Sequence, residues 1–145
     1  MSCLADSQIA AMCDSSTLIQ PYSQEHLQPC SYDLSADKDF YLDPHEFKLL
    51  STLEWVNLSN DLQGQIYGRS SIGRLGIFIH ISAGFVDAGF RGNLTLECFN
   101  ASKQLWHCKR GDRIAQIAFY KLGVPASFPY SGRYQNQQGV TESRL

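Results

Sequence analysis

The sequence predicts a mainly β domain, a distorted antiparallel barrel or jelly roll with one short helix at its N-terminus. Three observations carry this. Runs rich in β-branched and aromatic residues recur along the chain, each run is short, and Gly, Asp, Asn and Pro separate them.

The elements follow in order. Ala5 to Cys13 reads as the helix, with Asp6 as its N-cap and Ile9, Ala10 and Met12 as its apolar contacts. Nine strand-like runs come next: LIQP, SYDL, FYL, FKLLSTLEWVNL, GQIYG, GIFIHIS, NLTLECFN, QLWHC and RIAQIAFYKL. Alternation is clearest from Asn93 to Phe99. A strand there sends Leu94, Leu96 and Cys98 to one face and Thr95, Glu97 and Phe99 to the other. From Pro125 the composition turns polar and aromatic, and nearly loses its aliphatic residues. Such a stretch cannot bury itself in a core, so it is either disordered or a lid that orders over a ligand. The expected division is a barrel over 1–124 and a flexible C-terminal lid over 125–145.

Composition narrows the function classes. The 145 residues suffice for one domain with a core, and 43% of them are apolar. A net charge of -2 gives no basic stripe for a nucleic-acid polymer, although a few arginines suffice to hold one triphosphate. No apolar run approaches a membrane span, and the N-terminus lacks the basic and apolar regions of a signal peptide. The five scattered cysteines, Cys3, Cys13, Cys30, Cys98 and Cys108, include no CxxC pair and read as free thiols in a reducing cytoplasm.

Three segments carry chemistry. In Gly68-Arg69-Ser70-Ser71-Ile72-Gly73-Arg74-Leu75-Gly76, small hydroxyls sit beside guanidinium forks, which suits phosphate oxygens. A polar turn with solvated arginines is the plainer reading, and this segment alone leaves both open. Ala83 to Glu97 holds Asp87 in a glycine-flanked turn and Glu97 inside an apolar strand. Asp87 alone reads as a turn former. Glu97 either faces solvent or needs a partner, and an enclosed carboxylate beside arginines is suited to moving protons. In Gly111-Asp112-Arg113-Ile114-Ala115-Gln116-Ile117-Ala118-Phe119, Gln116 by itself reads as a surface residue.

Taken in this order the segments resemble the trimeric dUTPase and dCTP deaminase superfamily. Pro29-Cys30-Ser31-Tyr32-Asp33-Leu34 resembles its first motif, GRSSIGRLG its second, AGFVDAGFRGNLTLE its third and GDRIAQIAF its fourth. The stretch Arg133-Tyr134-Gln135-Asn136-Gln137-Gln138-Gly139 resembles the deaminase ending. The resemblance implies a dUTPase-like barrel in a homotrimer. Its sites lie between subunits and take a deoxynucleoside triphosphate with Mg²⁺ under a mobile tail. Plain dUTPases carry an aliphatic residue at the position of Glu97, so the likeness is to the deaminases. Gly84-Phe85 after Ala83, in place of His-Arg, matches the dUMP-forming branch, which also hydrolyses dUTP. Two departures stand out. The region before Gly68 is shorter than in many deaminases, and Arg133 replaces the usual Lys beside an abbreviated loop after Tyr130.

The implied reaction is zinc-independent deamination of dCTP, since no HxE…PCxxC signature is present. His26, His45, His80 and His107 have no ligand spacing with the cysteines and read as surface or core residues. By resemblance Glu97 activates a water held by Ser70 and protonates the ring at N3, and Arg74 stabilises the polar cluster. Arg69, Ser71, Gln116, Tyr130, Arg133 and Gln137 bind phosphates. Asp87 reads the deoxyribose hydroxyl and helps aim a second water if dUTP is also hydrolysed. The backbone around Thr95 and Leu96 reads the base edge. The partners implied are dCTP, dUTP and dTTP as an inhibitor. Two other readings are a dUTPase without deaminase activity and a non-catalytic nucleotide-binding trimer.

Overall fold

The computed structural model describes residues 2–145. In chain order it holds β1 (Ser2–Cys3), α1 (Asp6–Ser16), β2 (Ile19–Gln20), a 3-10 turn (Gln24–His26), β3 (Leu27–Gln28), β4 (Ser31–Ser35), β5 (Phe40–Leu42) and β6 (Phe47–Asn57). It continues with β7 (Leu62–Gly68), α2 (Ser70–Gly73), β8 (Ile77–Ile79), β9 (Phe85–Val86), β10 (Arg91–Asn100), β11 (Trp106–Cys108) and β12 (Arg113–Lys121). The architecture is mainly β, as expected.

One sheet runs β3-β4-β12-β7-β9 with β1 also paired to β12; a second runs β2-β6-β10-β8; β11 pairs β5. Every strand pair is antiparallel. Both larger sheets turn side chains into one contiguous core, with Leu34, Ile117 and Phe119 from one and Leu50, Val56 and Leu96 from the other. The alternation along β10 is the expected one: Leu94, Leu96 and Cys98 are buried, while Thr95, Glu97 and Phe99 stay half-exposed.

Each of the nine strand-like runs contains a strand, and local chemistry moved some boundaries. GIFIHIS yields only Ile77–Ile79, because His80 takes a left-handed backbone with φ 62°. The helix is capped by Ala5, not Asp6, and extends to Ser16. The Gln8 side chain accepts the Ala5 N–H at 2.9 Å, and Asp6 stands in the first turn, where a carboxylate suits the helix dipole. Ile9 is fully buried, as expected of the contact face. No described helix is long and apolar enough to cross a membrane.

The segment from Pro125 packs along its own barrel, chiefly through backbone and amide groups. Tyr130 N–H donates to Ala88 O at 2.8 Å, Asn136 N–H to Arg91 O at 2.8 Å, and Asn93 N–H to Gln137 O at 3.0 Å. The Tyr130 ring meets Phe90 edge-on at 5.6 Å between centroids.

Candidate active site

The double-serine segment closes as a single helical turn, α2, between β7 and β8. Ile72 packs against the core and fixes the turn, leaving the Ser70 and Ser71 side chains exposed. Arg69 precedes it in extended conformation. Beneath it lies Asp33 of β4, only 1% exposed. The Asp33 Oδ2 faces Arg69 Nη2 at 3.4 Å and Arg113 Nη1 at 3.4 Å. A buried carboxylate with two guanidiniums satisfies its charge, and it holds Arg69 in place. Arg69 Nη1 also donates to Arg113 O at 3.0 Å. Gln116 sits beside Asp33 in the β4–β12 register, donating to Gly68 O at 3.2 Å and accepting from Ser31 Oγ at 3.4 Å. These groups line an open cleft of about 360 Å³ that includes Arg69, Ser70, Ser71 and Gln116. The structure therefore gathers three of the expected phosphate-binding residues, Arg69, Ser71 and Gln116, together with Ser70.

Glu97 lies elsewhere, on the outer face of β10 between Leu49 of β6 and His80. Its Oε2 accepts from the Ser82 N–H and from the Ser82 hydroxyl, each at 3.2 Å. Among the described residues no hydrogen bond to Oε1 occurs. The backbone is clamped as well. His80 N–H donates to Glu97 O at 2.8 Å, and His80 Nδ1 accepts the Glu97 N–H at 3.3 Å. Accepting at Nδ1 leaves the ring proton on Nε2, which is buried without a hydrogen-bond partner among the described residues. The strand carrying Glu97 borders β8, and α2 packs on β8. Within one chain, Glu97 does not line the phosphate cleft.

The remaining expected residues are dispersed. Asp87 and Tyr130 line a second open cleft of about 430 Å³ together with Phe85 and Phe128. Gln137 lies along β10, its side-chain amide donating to Asn93 O at 2.7 Å. Thr95 Oγ1 accepts from the Thr141 N–H at 3.0 Å, so the C-terminal segment runs along β10 to within two positions of Glu97. Leu96 is fully buried, which leaves only its backbone for recognition. Arg133 and Arg74 are exposed. Arg74 stands at the end of α2, its N–H donating to Ser70 O at 3.1 Å. The single chain thus brings neither arginine to Glu97.

Sequence reasoning gave no role to Ser82, His80 or Asp33. Asp33 had a signal, since it is a lone acid inside an apolar strand-like run, as Glu97 is. Ser82 and His80 had none, because their importance comes from the β8–β10 pairing. Among the described residues no group of three His, Cys, Asp or Glu side chains is placed to hold a metal ion.

The family model for dCTP deaminase-like proteins matches residues 35–122. A dUMP-forming dCTP deaminase of Dictyoglomus thermophilum is 47% identical over 117 residues, 78% of this chain and 60% of that protein. One of Aquifex aeolicus is 35% identical over 170 residues, covering 98% of this chain and 94% of the relative. The chain therefore spans only 60% of the length of the first of these relatives. Among solved structures, the 2'-deoxycytidine 5'-triphosphate deaminase from Agrobacterium tumefaciens superposes with a TM-score of 0.74 at 21% identity, over 83% of this chain and 49% of that one. At that identity the likeness concerns the fold. With most of its sheet framework inside the matched region, this chain belongs to the dCTP deaminase-like family.

Proposed function

We propose that the protein deaminates dCTP, with Glu97 as the group that moves protons, and goes on to hydrolyse dUTP to dUMP and pyrophosphate. The carrying observation is the asymmetry of the Glu97 carboxylate. Ser82 holds Oε2 with two donors, while Oε1 is left for a water or a base. One fixed oxygen and one working oxygen are what general acid–base catalysis asks of a carboxylate.

The steps follow from the chemistry of the base. Oε1 takes a proton from a water that attacks C4 of cytosine. The carboxyl group then delivers that proton to ring N3, so negative charge does not build on the ring. Oε1 next takes the proton of the new C4 hydroxyl and passes it to the amino group, so that collapse of the tetrahedral centre expels ammonia and leaves uracil. Arg69, Ser71 and Gln116 hold the triphosphate in their cleft, where guanidinium forks match phosphate oxygens bidentately, and Ser70 at the same cleft holds the attacking water. Asp87, exposed at the second cleft, reads the deoxyribose hydroxyl. Mg²⁺ suits this set as an ion carried on the triphosphate. Among the described residues no group of carboxylates is placed to cage an ion, which fits an Mg²⁺ held by the phosphate oxygens themselves. Bound there it would neutralise phosphate charge.

The assembled site is a homotrimer's. Phe47, Phe99 and Phe78 are register partners across β6, β10 and β8, and they form an outward aromatic row beside Glu97. Phe47 is 55% exposed and Phe78 51%. Covering this row with a second copy would bury it and bring another chain's cleft to Glu97. The C-terminal segment, with Tyr130, Arg133 and Gln137, acts as the lid over the nucleotide, and dTTP competes for the same place. Incubation with dCTP and Mg²⁺ tests the proposal: ammonia with dUMP supports it, and dCTP recovered unchanged rejects it. If dUTP alone is converted, the chain is a dUTPase without deaminase activity.

A further inference from the structure

Two of the five cysteines, 27 positions apart, meet in the fold. β1 and β4 both pair with β12, with Cys3 opposite Tyr120 and Tyr32 opposite Ile117. β7 takes the other edge of β12 along the same stretch, so β1 and β4 lie end to end on one edge. Leu4 N–H donates to Phe119 O at 2.8 Å and Asp6 N–H to Pro29 O at 3.0 Å, which ties the start of the chain to the loop before β4. Across that junction the Cys3 thiol donates to Cys30 O at 3.6 Å. Both residues are exposed, whereas Cys98 and Cys108 are buried. Cys30 has a second neighbour of consequence, since Pro29, Cys30 and Ser31 line the cleft that holds Arg69 and Ser70.

We infer that Cys3 and Cys30 are a disulfide-forming pair that fastens the N-terminal strand to the rim of the phosphate cleft under oxidising conditions. The oxidant is a small disulfide such as oxidised glutathione. The Cys30 thiolate attacks one of its sulfurs, forms a mixed disulfide and releases one glutathione thiolate. Cys3 then gives up its proton and attacks the Cys30 sulfur, releasing the second. Two protein thiols and one glutathione disulfide become one protein disulfide and two glutathione thiols. Desolvation and the adjacent Cys30 push the Cys3 thiol above its ordinary pKa, which disfavours Cys3 as the first attacker. The buried Cys98 and Cys108 thiols, pushed up to about 12, stay protonated and out of this chemistry.

The bond constrains the unfolded chain by closing the segment between the two residues, so oxidation raises Tm by about 5–10 °C. The test treats the full-length protein with oxidised glutathione at neutral pH. Free thiols are counted before and after, the cross-linked peptide is mapped by mass, and melting is recorded. The expected result is loss of two of the five thiols, a Cys3–Cys30 peptide and the rise in Tm. Cys3→Ser should retain glutathione on Cys30, and Cys30→Ser should show no rise. A wild-type protein that keeps five thiols, links chains to one another, or holds glutathione without an internal bond overturns the inference. The readouts are thiols and melting, so they stand apart from the proposed reaction.

Discussion

Gly92 is where the C-terminal segment rests on β10, and replacing it with alanine should free that segment without opening the barrel. Its φ of +152° disfavours any side chain, and an added Cβ would stand 3.0 Å from Gln137 O, 3.1 Å from Gln137 Cγ and 3.1 Å from Gln137 N. The contacts at risk are three. Asn93 N–H donates to Gln137 O at 3.0 Å, the Gln137 amide to Asn93 O at 2.7 Å, and Gly139 N–H to Asn93 Oδ1 at 3.2 Å. At about 1 kcal/mol net for each hydrogen bond, Gly92→Ala weakens docking by about 3 kcal/mol. That corresponds to roughly a hundredfold larger undocked population. Amide hydrogen exchange reads this directly. Amides of Asn136, Gln137 and Gly139 should exchange about a hundredfold faster. Those of Ile114 and Ile117, fully buried in β12, should keep their protection relative to Phe119. Unchanged exchange at Gln137, or equal acceleration in β12, would refute the reasoning.

Three further predictions concern the site and its supports. Ser82→Ala removes one of the two donors to Glu97 Oε2; kcat for deamination should fall about tenfold with little change in KM, and an unaltered kcat in steady-state assays counts against the carboxylate's asymmetry. Asp33→Asn leaves the partly exposed Arg69 and Arg113 without their shared counter-charge; urea unfolding should show a loss of about 1–3 kcal/mol, and no measurable loss would make the triad a minor contributor. Glu54 is buried, and this pushes its carboxyl above the usual range despite the hydrogen bonds from Ser35 and the nearby His26. A raised folded-state pKa means that the native form binds the extra proton. Stability is therefore lost as pH rises from the ordinary carboxyl value of 4.5 through the folded-state value. The stability of wild type relative to Glu54→Gln should decline across that window in urea titrations, and a rise would reverse the sign of the argument.

The strands were readable because a half-buried β-surface writes alternation into the sequence, most plainly from Asn93 to Phe99. β1, β3 and β9 were not, since two residues are too few to show a period, and each exists through its neighbour's free edge. His80 ended its strand early by a backbone choice that hydropathy does not record. In the site, residue types and motif order pointed to Arg69, Ser70, Gln116 and Glu97. Their grouping was not legible, because Asp33 reaches Arg69 across two strands and Ser82 reaches Glu97 across a sheet register. The C-terminal segment looked unable to pack because aliphatic content was the measure. It docks instead through backbone groups and the amides of Gln135 and Gln137, which leave no hydrophobic trace.

Glu97→Gln keeps the shape of the side chain and the hydrogen-bonding capacity toward Ser82, and it takes away the ability to carry a proton. Release of ammonia from dCTP with Mg²⁺, followed for wild type and this variant with trimer formation checked for both, is the most direct measurement. A fall of roughly 10²–10⁴-fold in the variant, with dCTP still bound, is the predicted result. A variant that deaminates dCTP at the wild-type rate would contradict it.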